Sequence, residues 1–247
     1  MLRKAKHLLA FLTIIPVGMS SDCLIDAANC MYLFPLVGAL IGLLAGIFAW
    51  LLLNVLESPI VGILTLGFIQ LITGLHHTDG LLDFGDGIMC IGSFERKIEV
   101  MHDQRTGAGG LALGLVTMLA TAFSIAQLKH SLVIQGLVAS EASAKLAMVV
   151  MARIGRSSRK GMNTPFVNAL HGQHRNARIL TAVLITSGTT VLFLNLAGLV
   201  VVIASIAAAF VLTAVSNRHF GGVTGDVFGA TNEISRLASL IAILVIQ

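Results

Sequence analysis

Met31-Tyr-Leu-Phe-Pro-Leu-Val-Gly-Ala-Leu-Ile-Gly-Leu-Leu-Ala-Gly-Ile-Phe-Ala-Trp-Leu-Leu-Leu53 runs without a single charged residue. As a helix at about 1.5 Å per residue, such a run crosses a hydrocarbon core of about 30 Å. A strand of a membrane barrel would alternate polar and apolar residues, and this run does not alternate. Working outward, comparable apolar runs cover 59–75, 109–128, 131–151, 179–195, 198–215 and about 228–247. The composition agrees. Of 247 residues, 56% are hydrophobic and 11% charged, with a mean hydropathy of +0.91, whereas soluble domains carry roughly a quarter of their residues charged. A soluble enzyme, a disordered chain and a secreted disulfide scaffold are excluded. The expected fold is an all-α polytopic membrane protein, one domain over 1–247, with about seven transmembrane helices and an N-terminal interfacial helix.

The ends of the chain and its charges give the orientation. Arg3, Lys4 and Lys6 precede a short apolar stretch that Pro16 and polar residues end early. No small-x-small cleavage site follows, so 1–30 reads as an interfacial segment rather than a signal peptide. Seven spans put the N-terminus and the connections 76–108, 152–178 and 216–227 on one side. Counting Arg236, that side holds fourteen of the sixteen Lys and Arg, which makes it cytoplasmic. The expected location is therefore the cell membrane, multi-pass, with membrane lipid as a partner. The net charge of +4 follows from this topology and does not call for nucleic acid. Cys23, Cys30 and Cys90 form neither a metal-ligand spacing nor an even disulfide set. Gly38, Gly42 and Gly46 form a double G-x-x-x-G that serves close helix packing, within the chain or between copies in a homo-oligomer.

The chemistry concentrates in three segments on that one side. In His76-His-Thr-Asp-Gly-Leu-Leu-Asp-Phe-Gly-Asp-Gly87, Asp79, Asp83 and Asp86 are spaced i, i+4 and i+7 and share one helix face. Three like charges there repel, so a cation belongs with them, and hard oxygen ligands suit Mg²⁺ or Mn²⁺. Gly80 and Gly87 would let a bulky ligand near the backbone, and His77 is a candidate base or phosphate contact. The second segment is Met101-His-Asp-Gln-Arg-Thr-Gly107. Its Asp103 can join the metal site, its Arg105 offers a planar fork to phosphate, and Gly107 lies at a helix start, where amides favour anions. The third, Gly221-Gly-Val-Thr-Gly-Asp-Val-Phe-Gly-Ala230, sets Gly225 and Asp226 at the mouth of the last span, where an aspartate either caps the helix or completes the site. Mid-span Glu141 and Lys145 read equally as a neutralising i,i+4 pair or as the lining of a polar cavity. The basic residues of 152–178 are explained mostly by topology, although some can hold an anionic nucleotide.

These segments carry a family resemblance. His77-Thr-Asp-Gly-Leu-Leu-Asp-Phe-Gly-Asp-Gly87 resembles the H-x-D-G-x-x-D-x-x-D-G signature of cobalamin (5′-phosphate) synthases. The blocks at 101–107 and 221–230 are similar to their M-x-D-x-R-x-G and G-G-x-T-G-D-x-x-G-A, and Phe34-Pro-Leu-Val-Gly38 to their F-P-x-x-G. Leu75, His76 and Arg236 depart from a usual glycine, aromatic and acid. The resemblance implies adenosylcobinamide-GDP ribazoletransferase activity: the 3′-hydroxyl of α-ribazole, or of its 5′-phosphate, attacks the corrinoid-linked phosphorus of adenosylcobinamide-GDP, and GMP leaves. It implies Asp79, Asp83, Asp86 and Asp103 around Mg²⁺, with Arg105 and Asp226 serving the diphosphate. The rival readings are a CDP-alcohol phosphotransferase, a UbiA-type prenyltransferase and a cation transporter. The first expects an Ala-Arg pair after its Asp-Gly, where this chain has Leu-Leu-Asp, and the last expects acids buried in several spans.

Overall fold

A computed structural model describes residues 2–17 and 22–247. Part of the expected interfacial segment, 18–21, therefore lies outside the described residues. The chain forms α1 (Leu2–Leu12), α2 (Cys23–Asn29), α3 (Phe34–Leu52), α4 (Ser58–Ile72), α5 (His76–Met89), α6 (Phe94–Met101), α7 (Ala108–Ala126), α8 (Val133–Ile154), α9 (Thr164–His171), α10 (Arg175–Leu194), α11 (Gly198–Phe220) and α12 (Gly225–Ile246). Among the described residues there is no strand beyond one isolated bridge between Ser157 and Val223. The all-α membrane architecture stands.

The count of spans is less simple than seven. Five stretches are long and apolar enough to cross a membrane, and a sixth arises if α4 and α5, bent by 99°, are taken together. Two features separate this from the expected number. The stretch Arg175–Phe220 counts once but holds two helices, α10 and α11, broken at Asn195, whose φ is 55°. Expected span 59–75 is only the 15-residue α4, roughly 22 Å at the helical rise and short of the hydrocarbon core. It ends because Gly74 and Leu75 both take left-handed backbone, φ 66° and 62°, and the chain turns sharply into α5. Segment 76–89 is therefore a packed helix rather than an open connection.

α8 is the axis of the bundle. Its span is 89% buried, against 39–56% for the other four stretches, and α3, α10, α11 and α12 all pack on it. The glycine stripe of α3 explains the closest of these contacts. A Cβ at Gly38 or Gly42 would stand 2.4 or 2.3 Å from the carbonyl oxygens of Glu141 or Leu137, and one at Gly46 2.7 Å from the Cα of Ile134. The double G-x-x-x-G is consumed inside the chain.

α8 also settles the two readings of Glu141 and Lys145. Both are fully buried, and they meet Glu233 and Arg236 of α12, equally enclosed. The Lys145 Nζ stands 3.6 Å from the Glu141 Oε2 and donates to the Asn232 Oδ1 at 2.6 Å. The Arg236 guanidinium pairs with Glu141 through Nε and with Glu233 through Nη1. Two carboxylates thus face two cations, and the quartet is neutral.

The connections expected to share one side do meet. The Val223 amide donates to the Arg156 carbonyl at 2.7 Å, and the Ser158 amide to the Val223 carbonyl at 3.0 Å. The Asn163 Nδ2 reaches the same Val223 carbonyl at 2.8 Å. The N-terminal segment joins this end, with the Ile14 amide on the Ile72 carbonyl at 2.8 Å. Helix α1 is amphipathic: Arg3, Lys4 and Lys6 are exposed, while Leu8 and Leu12 are buried and the His7 Nδ1 contacts the Asp26 Oδ2 at 2.8 Å.

Candidate active site

Helix α5 presents two faces. His77, Gly80, Leu81, Phe84 and Gly85 are buried, packed toward α7 and α12, whereas Asp79 is exposed and Asp83 and Asp86 are half-buried on the other side. The i, i+4, i+7 face is real. Close packing on the buried face is what draws the third segment in: a Cβ at Gly80 would lie 2.8 Å from the Asp226 carbonyl oxygen and 2.9 Å from its Cα. Lacking that atom, α5 lies directly against the first turn of α12. Asp83 accordingly has Asp226, Asp79 and Asp86 as its charged neighbours, and Asp79 and Asp226 line one cavity of about 320 Å³. Among the described residues no lysine or arginine pairs with Asp79, Asp83 or Asp226.

Asp226 is not the cap of its helix. The cap of α12 is Thr224, whose Oγ1 accepts from the Val227 amide at 3.4 Å. The Thr224 hydroxyl also donates to the Asp226 Oδ2 at 3.3 Å, which orients a carboxylate that is otherwise available. Gly225 beside it has open space where a side chain would be and lines the same cavity.

Other expected site residues have different occupations. The Asp86 Oδ2 accepts from the Gly107 amide at 2.7 Å and its Oδ1 from the Gly110 amide at 2.8 Å. It therefore anchors the start of α7, where a negative charge is favoured. The anion-binding amides expected at Gly107 are filled by this internal carboxylate. Gly80 and Gly87 leave no room for a ligand, because protein fills it: a Cβ at Gly87 would lie 2.5 Å from the Met101 Cγ. Asp103 and Arg105 pair with each other at the surface, Nη2 to Oδ2 at 3.2 Å and Nε to Oδ1 at 3.2 Å. The Arg105 hydrogen bonds hold the Asp103 carboxyl below its ordinary pKa. His77 is buried, lines the cavity, and its Nδ1 has no hydrogen-bond partner among the described residues.

The donor set suits a hard divalent cation by chemistry but is not closed around one. Among the described residues no three His, Cys, Asp or Glu side chains converge closely enough to hold a metal. Mg²⁺ is usually bound by one or two carboxylates, with water and substrate phosphates completing its shell, so one or two of Asp79, Asp83 and Asp226 would suffice to hold such an ion.

Several site residues gave no signal in the sequence. Phe11, Met162 and Phe166 line the cavity, yet apolar residues are unremarkable in so apolar a chain, and Asn163, which also lines it, stood among ordinary loop residues. His102 lies near Asp226 and touches the Arg159 guanidinium, a contact between two distant connections.

A helical bundle with several spans long and apolar enough to cross a membrane, gathering carboxylates at a cavity at one end, is a polytopic membrane protein with one candidate site. The chain belongs to the cobalamin-5-phosphate synthase family, whose model matches residues 4–244. It is 36% identical over 246 residues to an adenosylcobinamide-GDP ribazoletransferase of Methanocella arvoryzae, covering 94% of this chain and 91% of that one. A protein of the same name from Methanococcoides burtonii is 34% identical, covering 95% and 89%. The namesake from Thermococcus kodakarensis is 30% identical, with 98% of each chain covered. No solved structure matches the chain.

Proposed function

We propose that this enzyme joins a ribazole to adenosylcobinamide-GDP, forming a bond from the ribazole 3′-oxygen to the corrinoid-linked phosphorus and releasing GMP. The observation that carries this reading is the meeting of Asp79 and Asp226, from opposite halves of the chain, on one cavity. Asp79 and Asp226 border the space where the acceptor hydroxyl and the diphosphate must meet, and either carboxylate can accept the hydroxyl proton as the new bond forms. Asp83, set among acidic neighbours, adds negative charge that a bound cation would offset. Asp86 holds the start of α7 in place behind them. Mg²⁺, or Mn²⁺ in its stead, held by Asp79, Asp83 or Asp226, neutralises charge on the diphosphate oxygens when bound. Arg105, exposed and tied only to neighbouring Asp103, is free to swing toward phosphate. The acceptor is α-ribazole or its 5′-phosphate, the membrane is the cytoplasmic one, and the site faces the cytoplasm.

The test is mass spectrometry of products from the purified protein in detergent, supplied with adenosylcobinamide-GDP, α-ribazole and Mg²⁺. The expected products are adenosylcobalamin and GMP, abolished by EDTA and restored by Mg²⁺ or Mn²⁺. Absence of both products refutes the activity, and undiminished turnover in EDTA refutes the metal.

A further inference from the structure

A diphosphate bound beside a metal ion needs two kinds of protein charge: anions for the metal and cations for the phosphate oxygens. Asp79, Asp83 and Asp226 provide only the first. From Ala152 to Arg178 the chain carries no acidic residue, and Arg153, Arg156, Arg159 and Lys160 stand together in its first part. Membrane topology accounts for a basic segment on this side. It does not account for where the segment is held. Besides the two backbone bonds to Val223, the Ser158 hydroxyl donates to the Phe220 carbonyl at 2.5 Å. A Cβ at Gly222 would stand 2.6 Å from the Arg156 carbonyl oxygen. Four residues after Ser158, Met162 and then Asn163 line the cavity that Asp79 and Asp226 border. Arg159 lies between these two anchors, on a turn closed by its own carbonyl, which accepts from the Ser157 hydroxyl at 2.7 Å and the Thr164 hydroxyl at 3.3 Å.

The Arg159 side chain is exposed. Of its five N–H donors, one meets the His102 Nε2, and His102 lies near Asp226. Among the described residues no carboxylate pairs with Arg159. Arg105 differs, because its Nε and Nη2 are already engaged by Asp103. We infer that Arg159 holds the phosphate oxygens of the donor, the free edge of its guanidinium making paired hydrogen bonds to the diphosphate while carboxylates of α5 and α12 take the cation. The inference rests on the ribazole-transfer reading above. A guanidinium paired to a carboxylate must leave it before meeting phosphate, and Arg159 has no such pair to break. Its backbone is fastened on both sides before any ligand arrives, so binding has little left to order. A planar fork on a fixed loop is the geometry that two phosphate oxygens match.

The experiment uses the full chain in detergent, with Arg159→Gln and Arg159→Lys. The acceptor is α-ribazole, which has no phosphate, so the donor is the one phosphorylated substrate present. Three quantities are read: separate KM values for adenosylcobinamide-GDP and α-ribazole, equilibrium dialysis of adenosylcobinamide-GDP with Mg²⁺ and no acceptor, followed by corrinoid absorbance, and Tm. Arg159→Gln should raise the donor KM and dissociation constant about tenfold or more. The acceptor KM should stay within about twofold, and Tm should fall by no more than about 2 °C, as for other exposed side chains. Arg159→Lys keeps the charge without the fork and should fall between. If the wild type forms product and Arg159→Gln binds the donor normally, Arg159 is wrong while the transfer reading stands. If Arg159→Gln raises both KM values together and lowers Tm further, Arg159 only braces two connections, and the inference is overturned. If the wild type binds the donor and Arg159→Gln does not, yet no product forms, the transfer reading fails and the phosphate contact stands.

Discussion

Replacing Arg236 by methionine should destabilise the protein severely, and removing Glu233 at the same time should restore most of the loss. Arg236 is fully buried and its guanidinium serves Glu141 and Glu233 together. Methionine keeps the length and apolar bulk but leaves two buried carboxylates facing one ammonium, Lys145. Breaking a buried ion pair by deleting one partner costs about 3–5 kcal/mol. For a chain of this size each kcal/mol moves Tm by about 2–4 °C, so the single variant should melt roughly 6–20 °C lower. In Glu233→Met/Arg236→Met the remaining Glu141 and Lys145, 3.6 Å apart, are again balanced. Neutral replacement of buried pairs is often close to cost-free, and the double variant should recover at least half of the lost Tm. The assay is thermal unfolding of the detergent-solubilised full chain, followed by circular dichroism, for the wild type, both single variants and the double. Independent sites add to within about 0.5 kcal/mol. A double variant whose loss equals the sum of the two single losses would refute the charge-balance argument.

Asp226→Asn should lower turnover a hundredfold or more, about 3 kcal/mol, without lowering Tm, because Thr224 rather than Asp226 caps α12; normal steady-state rates would remove Asp226 from the site. Leu75→Gly should raise stability by about 1 kcal/mol, since a left-handed φ of 62° disfavours a side chain by about that amount, and a lower melting temperature would contradict it. Gly42→Val should abolish folded protein in size-exclusion chromatography, its Cβ having only 2.3 Å to the Leu137 carbonyl oxygen in a stretch of α3 and α8 where neither backbone can yield. Cys90, partly exposed at the end of α5, should react with a membrane-impermeant thiol reagent in inverted membrane vesicles but not in intact cells; the opposite pattern would invert the proposed orientation.

The helices were largely legible in the sequence because lipid imposes one rule on every span: satisfy the backbone internally and present apolar side chains. The ends of α3, α7, α8 and α12 fall within a few residues of the apolar runs for this reason. The break after α4 was not legible. A leucine with positive φ leaves no compositional trace. The acidic face of α5 could be read from spacing alone, since i, i+4 and i+7 are local. The partners of Asp86 could not, because the amides of Gly107 and Gly110 belong to the backbone and carry no sequence label. Glu141 and Lys145 were visible as a pair, but Arg236 reaches them from another helix. Sequence spacing says nothing about such a contact.

The arrangement of the buried quartet bears on how the chain enters the membrane. Glu141 and Lys145 lie four residues apart on α8, and Glu233 and Arg236 three apart on α12. Each helix therefore carries its own anion and cation on one face and has no net charge along its buried length. A lone charge at mid-span opposes insertion by about 2.5–3.5 kcal/mol, and α8 is synthesised long before α12 exists to answer it. Because each helix is neutral by itself, α8 can leave the insertion machinery and wait in lipid, and α12 can follow without needing its partner at the moment of entry. Only afterwards, when the two helices dock, does the Arg236 guanidinium exchange a purely local pairing for one that spans both. The pairing that fastens the last helix to the axis of the bundle, Arg236 with Glu141, thus needs both helices in place, while each helix is balanced before they meet.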